Sequence, residues 1–63
     1  MKKSIWIEIK GSIDSRKLWS EIFLYGINLT DTGDKTYVYG DIDSEYIDKL
    51  ISKCKEYGEV VIG

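Results

Sequence analysis

The chain has 63 residues, of which 43% are hydrophobic and 32% charged, and its formal net charge is −2. This length accommodates one domain, which we place at residues 1–63, and leaves little volume for an interior active site. There is no histidine and only one cysteine, which excludes structural zinc sites and hydrolases of the Ser-His-Asp type. We therefore expect a non-catalytic domain that uses no metal and no cofactor.

The sequence also predicts the compartment. It holds no run of the roughly 20 apolar residues that a transmembrane helix needs, and its first residues lack the hydrophobic region of a signal peptide. Cys54 has no second cysteine with which to form an internal disulfide. Because disulfides are the usual stabiliser of small secreted domains, their absence favours a reducing compartment. We expect a cytoplasmic protein that does not contact a membrane.

The first part of the chain predicts a strand followed by a helix. Apolar and polar residues alternate over residues 4–10, which is typical of a half-buried strand. The isoleucines on its apolar face are Ile5, Ile7 and Ile9. Asp14 or Ser15 is expected to cap a helix, and Gly26 is expected to end it in the left-handed conformation. The apolar residues at helical spacing are Leu18, Trp19, Ile22, Phe23 and Tyr25.

The middle of the chain predicts a β-hairpin. Strands are expected at residues 27–30 and 36–39, separated by a segment rich in turn-forming residues. Gly33 in this segment can adopt the positive φ that a tight hairpin connection needs. Gly40 and Asp41 are expected to end the third strand.

The last part of the chain predicts a second helix and a short strand. Asp43 or Ser44 is expected to cap the helix. Its apolar stripe consists of Ile47, Leu50, Ile51 and Cys54. Gly58 is expected to supply the cap that ends the helix, and a strand is expected at residues 59–62.

The predicted element order is β-α-β-β-α-β. Crossovers between parallel strands are right-handed, and the short turn pairs the second strand with the third. These rules favour an α+β fold with a four-stranded antiparallel sheet, strand order 4-1-3-2, and both helices on one face. This arrangement is the ferredoxin-like split β-α-β sandwich. The first and third strands are expected at the centre of the sheet.

Aromatic side chains are predicted on the uncovered face of this sheet. If the isoleucines of the first strand and Val38 point at the helices, alternation sends Trp6, Tyr37 and Tyr39 to the opposite face. These three lie on neighbouring central strands, close enough to touch as cross-strand pairs. The predicted binding residues are Trp6, Tyr37, Tyr39, Lys35, Glu8 and Lys10.

Three interpretations of this aromatic surface are open. It can be purely structural, because aromatic residues favour strands and apolar atoms are common on protein surfaces. It can bind protein, either a second copy of the chain or a different protein, because interface cores are enriched in aromatic residues. We favour protein binding and expect a small regulator, adaptor or inhibitor.

The third interpretation is that the surface binds a single strand of RNA or DNA. The segments Ile5-Trp6-Ile7 and Lys35-Thr36-Tyr37-Val38-Tyr39 resemble the first-strand and third-strand signatures of the RNA-recognition-motif family, which stacks bases on such aromatics. The resemblance implies stacking positions at Trp6, Tyr37 and Tyr39 and a basic position at Lys35. It covers these two segments only, and Thr36 and Val38 stand where the family has glycine and a small residue. The negative net charge makes nucleic acid the second choice of partner.

Acidic residues are expected in two loops at opposite ends of the sheet. They are Asp31, Asp34, Asp41, Asp43 and Glu45. One interpretation is that they form solvated loops that keep the protein soluble. The other is that their charges steer a basic partner surface towards the chain. The acidic run from Asp41 lacks the glycine and the distal glutamate of a calcium loop, so no metal site is predicted there.

Overall fold

The sheet consists of two long central strands and two short edge strands. In the computed structural model, which describes Met1–Gly63, the strands are β1 (Lys2–Lys10), β2 (Asn28–Asp31), β3 (Lys35–Asp43) and β4 (Val60–Ile62). Neighbouring strands are antiparallel, and their order is β2-β3-β1-β4. This is the predicted order read from the other edge. The predicted α+β fold with a four-stranded antiparallel sheet is therefore confirmed.

The first helix, α1, spans Ser15–Ile22 and continues into a 3-10 turn at Phe23–Tyr25. Asp14 caps it, because its carboxylate accepts a hydrogen bond from the backbone N–H of Lys17 at 3.1 Å. Gly26 ends the 3-10 turn with φ +74°, the left-handed conformation that glycine adopts without strain. Both ends of this segment agree with the sequence prediction.

The second helix, α2, spans Ile47–Lys55 and follows a 3-10 turn at Ser44–Tyr46. The predicted caps are wrong, because no side chain caps either the 3-10 turn or the helix. The chain enters α2 through the 3-10 turn, and the N–H of Ile47 bonds the carbonyl of Ser44. A backbone hydrogen bond is therefore found at the start of α2, where a side-chain cap from Asp43 or Ser44 was expected.

The hydrophobic core lies between the helices and one face of the sheet. Its buried residues are Ile7, Ile9, Leu18, Ile22, Ile27, Val38, Ile42, Leu50 and Cys54. Both central strands alternate as predicted, since Ile7, Ile9 and Val38 are buried while their neighbours along the strand are more exposed. The predicted stripe of α2 is also observed, with Ile47 and Ile51 packed against this core. The opposite face of the sheet is left open.

The strand β3 is longer than predicted. It does not end at Gly40 but continues to Asp43, which pairs with Lys2 of β1. Glycine is favoured at position 40 because its φ is +134°, a conformation that other residues adopt only with strain, whereas a Cβ there would be in ordinary contact with Ile27. Two residues further on, Ile42 is buried in the core. The alternation of Val38, Gly40 and Ile42 was the signal for this extension.

The apolar face of α1 is narrower than predicted. Leu18 and Ile22 are buried, but Trp19 and Phe23 are 41% and 48% exposed. The α-helix has only about two turns, and the change to 3-10 geometry after Ile22 alters the angular spacing of the residues that follow. The rings of Trp19 and Phe23 contact each other outside the core, with centroids 6.3 Å apart.

Gly58 does not supply the predicted cap of the second helix, whose C-cap residue is Glu56. The φ of Gly58 is not positive, and α2 ends before it, at Lys55. A Cβ at this position would lie 2.9 Å from the backbone oxygen of Lys10 and 3.2 Å from Cγ2 of Ile9. Gly58 therefore lets the chain pass close to β1 before β4 begins at Val60.

Candidate functional site

The structure places Trp6, Tyr37 and Tyr39 together on the open face of the sheet. We call these three residues the aromatic face. Trp6 and Tyr39 are 40% and 38% exposed, and Tyr37 is half-buried between its neighbours. The residues that alternate with them, including Ile7 and Val38, lie in the core on the other side of the sheet.

The register of β1 against β3 determines which rings meet. Trp6 lies directly opposite Tyr39, and Glu8 lies directly opposite Tyr37. The indole of Trp6 contacts the ring of its diagonal neighbour Tyr37, with centroids 5.3 Å apart and a tilt of 32°. This is a favourable geometry for an aromatic pair.

Thr30 of β2 belongs to the same surface, although it is not among the predicted binding residues. Its hydroxyl lies 3.1 Å from the hydroxyl of Tyr39, and it stands opposite Tyr37 in the register. Thr30 and the aromatic face together line a shallow concavity of about 270 Å³. Thr30 alternates with Leu29, whose side chain packs against the core, and this alternation was the signal for its position.

Gly63 lies against the other side of the Trp6 ring. Its N–H donates a 3.0 Å hydrogen bond to the carbonyl of Trp6. A Cβ at Gly63 would lie only 2.8 Å from Cε3 of the indole. The ring of Trp6 is thus held between Tyr37 on the β3 side and Gly63 on the β4 side.

The predicted charged residues lie at opposite ends of the aromatic face. Lys10 and Lys35 stand directly opposite each other at the hairpin end, and neither forms an ion pair. Asp41 lies at the other end, where it accepts a hydrogen bond from the Ser4 hydroxyl at 2.6 Å but meets no cation. Glu8 lies between these ends beside the aromatic residues. The open face has a basic end with Lys10 and Lys35, an aromatic middle that also holds Glu8, and a far end where Asp41 and Asp43 lie with Lys2.

The acidic residues lie at both ends of the sheet, but most are not in loops as predicted. Asp31 belongs to β2, and Asp41 and Asp43 belong to β3. Only Asp34 lies in the hairpin turn, and Glu45 lies in the 3-10 turn before α2. The unexpected length of β3 explains this difference for Asp41 and Asp43.

Two of the acidic residues have local structural contacts. Asp31 accepts hydrogen bonds from the Ser15 hydroxyl at 2.7 Å and from the Gly33 N–H at 2.8 Å, and these bonds lower the pKa of its carboxyl group. Asp43 lies 3.6 Å from the amino group of Met1. Asp31 therefore tethers α1 and the hairpin turn to β2, and steering a partner is not its main role.

A separate polar cluster links the two helical segments on the covered side of the molecule. The Tyr57 hydroxyl donates a short hydrogen bond to Glu21, which raises the pKa of Tyr57 to about 12. Lys53 lies 3.5 Å from the other carboxylate oxygen of Glu21. Cys54 is buried nearby, and burial raises the pKa of its thiol to about 11, so the thiol is protonated at neutral pH. These contacts are structural.

The remaining chemistry and the comparisons add no other site. No group of three or more His, Cys, Asp or Glu side chains is arranged to hold a metal ion. Neither helix has the length and apolar character needed to cross a bilayer. Comparisons with protein-family models, with curated proteins and with solved structures give no match to this chain.

Proposed function

We propose that this chain is a non-catalytic binding module and that its aromatic face is the contact surface for a protein. The observation that carries the proposal is the placement of Trp6, Tyr37 and Tyr39 on the one sheet face that no helix covers. Each large aromatic side chain can bury about 150–250 Å² in a contact. Contiguous exposed apolar surface marks interaction sites, and tryptophan and tyrosine are enriched among the residues that dominate binding energy.

A regulator, adaptor or inhibitor is the role that fits such a module. The domain offers a rigid sheet with two central strands paired over their full length, and its binding residues lie on these strands and not on loops. A partner would meet a surface that changes little on binding. The element order and the strand order support the proposal that the fold is ferredoxin-like. The free thiol of Cys54 supports a reducing compartment, which we propose is the cytoplasm.

A single strand of RNA or DNA is the second candidate. The unpaired lysines Lys10 and Lys35 stand at one end of the aromatic face, as phosphate contacts beside stacking platforms do. Glu8 and Asp41 on the same face, together with the net charge of −2, oppose a polyanion along most of its path. We therefore rank protein binding first.

Site-specific photo-cross-linking in the cells that produce the chain tests the proposal. A benzophenone amino acid replaces Tyr39 in one variant and the exposed Ser52 of α2 in the control variant. We expect protein adducts from position 39 that are absent from position 52. Adducts to nucleic acid at position 39 would favour the second candidate, and equal labelling from both positions would contradict both.

A direct titration separates protein from nucleic acid. In a Trp19→Phe background the remaining indole is that of Trp6, so its fluorescence reports on the aromatic face alone. We expect no quenching by single-stranded oligonucleotides at low salt. Quenching that weakens as salt is raised would be the signature of stacking on a basic surface and would replace protein by nucleic acid as the partner.

A further inference from the structure

We infer that the protein bound by the aromatic face is a second copy of this chain, packed sheet against sheet with the two sets of strands reversed in direction. This inference rests on the proposed function, because it uses the same surface. It adds the identity of the partner and the orientation of the complex.

The open face is organised as rows that run across β1 and β3. From the hairpin end, the rows are Lys10 with Lys35, Glu8 with Tyr37, Trp6 with Tyr39, Ser4 with Asp41, and Lys2 with Asp43. In the inferred dimer a two-fold axis lies between the two sheets, perpendicular to the strands. It passes midway between the row of Glu8 and Tyr37 and the row of Trp6 and Tyr39, and rotation about it places one chain over the other. The row of Lys10 and Lys35 in each copy then lies over the row of Ser4 and Asp41 in the other. The row of Glu8 and Tyr37 lies over the row of Trp6 and Tyr39. The surface is self-complementary, as a two-fold symmetric interface requires.

Apart from Asp43, which pairs with the amino group of Met1, the charged residues of this face form no ion pair within one chain. Lys10 and Lys35 are like charges in directly opposed positions, an arrangement that destabilises a sheet. Asp41 is six residues from Lys35 along β3, a distance of about 20 Å at the usual rise per residue. In the inferred dimer each lysine pair gains a carboxylate and each Asp41 gains a cation. The alternative axis, parallel to the strands, would place lysines over lysines, so the charges select one orientation.

The geometry of stacked sheets allows these contacts. Packed sheets lie about 10 Å apart, and their strands cross at about 30°. The charged rows are about 10 Å from the axis, so this angle displaces them sideways by about 5 Å, roughly one strand spacing. A lysine side chain can cover this displacement. Since Lys10 lies on β1 and Lys35 on β3, Asp41 of the other copy has a lysine within reach whether it lies over β3 or is displaced towards β1.

The size of the face is adequate for a stable dimer. A standard interface buries about 800 Å² on each partner. This is about a fifth of the 4112 Å² surface of the chain, whose two larger dimensions are 32 and 22 Å. Val61, which pairs with Glu8, and Thr30, which pairs with Tyr37, widen the surface beyond the central strands. The dimer would also enlarge a core in which only 10 residues are buried.

Sedimentation equilibrium of charge-reversed variants tests the inference. We expect the wild-type chain to dimerise reversibly at low salt. Lys10→Glu/Lys35→Glu places acid over acid, and Asp41→Lys places base over base. Each variant alone is expected to raise the dimer Kd about tenfold or more, because two like-charge contacts replace two opposite-charge contacts. Circular dichroism checks that both variants remain folded.

Mixing the two variants provides the decisive measurement. In the mixed dimer, the glutamates of one chain meet the lysine introduced at position 41 of the other, and Asp41 of the first chain meets the native lysines of the second. We expect a mixed dimer with a Kd within about threefold of the wild-type value, although each variant alone associates poorly. If the chains associated through another surface or in another orientation, mixing the two variants would not restore dimerisation. The matched control, Lys49→Glu/Lys55→Glu on α2, makes the same change in net charge and is expected to leave dimerisation unchanged.

Three outcomes would overturn the inference. If the chain sediments as a monomer at every concentration while position 39 cross-links to a different protein, the proposed function stands without the second copy. A monomer that also gives no adduct at position 39 would remove both. A dimer that survives the charge reversals but dissociates in Trp19→Ser/Phe23→Ser would move the interface to the exposed rings of the α1 segment.

Discussion

The orientation of the Trp6 indole is set by its neighbours before any partner arrives. Tyr37 contacts one side of the ring at a centroid distance of 5.3 Å, and Gly63 packs closely on the other side. Holding an exposed side chain in its binding conformation reduces the entropy that association costs. The sequence predicted that Trp6 and Tyr37 share a face. It did not predict the contact with Gly63, because the register of β4 cannot be derived from three residues of apolar sequence.

Tyr57 provides a prediction for the pH dependence of stability. The fold holds its hydroxyl against Glu21 and raises the pKa of Tyr57 from 10.0 to about 12. Because the pKa of Tyr57 is higher in the folded chain than in the unfolded chain, the protonated hydroxyl stabilises the fold. This stabilisation is complete below about pH 10 and is lost as the pH rises from about 10 towards 12. The urea midpoint is therefore expected to fall over that window. In Tyr57→Phe, which keeps the ring but not the hydroxyl, this part of the fall is expected to disappear.

The control for this prediction is Glu21→Gln, which keeps an acceptor oxygen but removes the charge. The hydrogen bond between Tyr57 and Glu21 lowers the pKa of Glu21, and the same bond is the first cause of the raised pKa of Tyr57, ahead of burial and the charge of the carboxylate. Phenolate absorbance is expected to show a component that titrates at about pH 12 in the wild type. In Glu21→Gln this component is expected to move to lower pH, because a neutral amide oxygen accepts a weaker hydrogen bond than a carboxylate. If the wild type shows no component near pH 12, the hydrogen bond between Tyr57 and Glu21 does not hold in solution.

The central strands and α2 were the most predictable elements. Their apolar residues recur at the strand or helix period, and the buried residues of α2, Leu50 and Cys54, lie on the predicted stripe. The helix α1 was less predictable, because its two turns bury only Leu18 and Ile22. A stripe this narrow cannot be distinguished by periodicity from the wider one that includes Trp19. The predicted ends of β3 and α2 depended on the roles of Gly40 and Gly58. Sequence alone does not distinguish a glycine that ends a strand or helix from one that lies within a strand or packs closely against a neighbouring backbone.

The extension of β3 is tested by two isoleucine substitutions. Ile42 is 1% exposed in the core, whereas Ile62 of β4 is 56% exposed. Ile42→Ala is expected to lower the free energy of unfolding by about 2–5 kcal/mol, because it removes buried methyl groups and leaves a cavity. Ile62→Ala is expected to change it by about 0.5 kcal/mol or less. Urea denaturation measures both, and equal effects would mean that β3 ends at Gly40 after all.

The different roles of two glycines give a second test at the level of elements. Asparagine tolerates the left-handed conformation, so Gly26→Asn is expected to cost about 1 kcal/mol or less. Gly58 has no positive φ, and any Cβ there meets the carbonyl oxygen of Lys10 at 2.9 Å. Gly58→Asn and Gly58→Ala are both expected to cost about 1–3 kcal/mol, because a backbone atom has to move. If asparagine is tolerated at both positions, Gly58 acts as an ordinary cap.

At the scale of the whole molecule, the fold separates two kinds of surface. The covered side carries the polar cluster of Tyr57, Glu21 and Lys53, which links the two helical segments. The open side carries the aromatic face with opposite charges at its ends. Alternation in the sequence was sufficient to predict which residues share the open face. Their arrangement in rows depends on the pairing of β1 with β3, so the self-complementary pattern became visible only in the structure.

The concentration dependence of thermal unfolding reports on the whole assembly. If the native chain pairs through its aromatic face and the unfolded chain does not, raising the concentration from about Kd to about a hundredfold Kd adds roughly 1 kcal/mol of stability per chain. For a domain of this size the melting temperature is then expected to rise by roughly 5 °C. Lys10→Glu/Lys35→Glu, measured over the same range by circular dichroism, is expected to show a much smaller rise. High salt is expected to reduce the wild-type rise by screening the lysine–aspartate contacts. A wild-type melting temperature that stays constant over a hundredfold range of concentration would mean that the sheet face is not covered by a second copy.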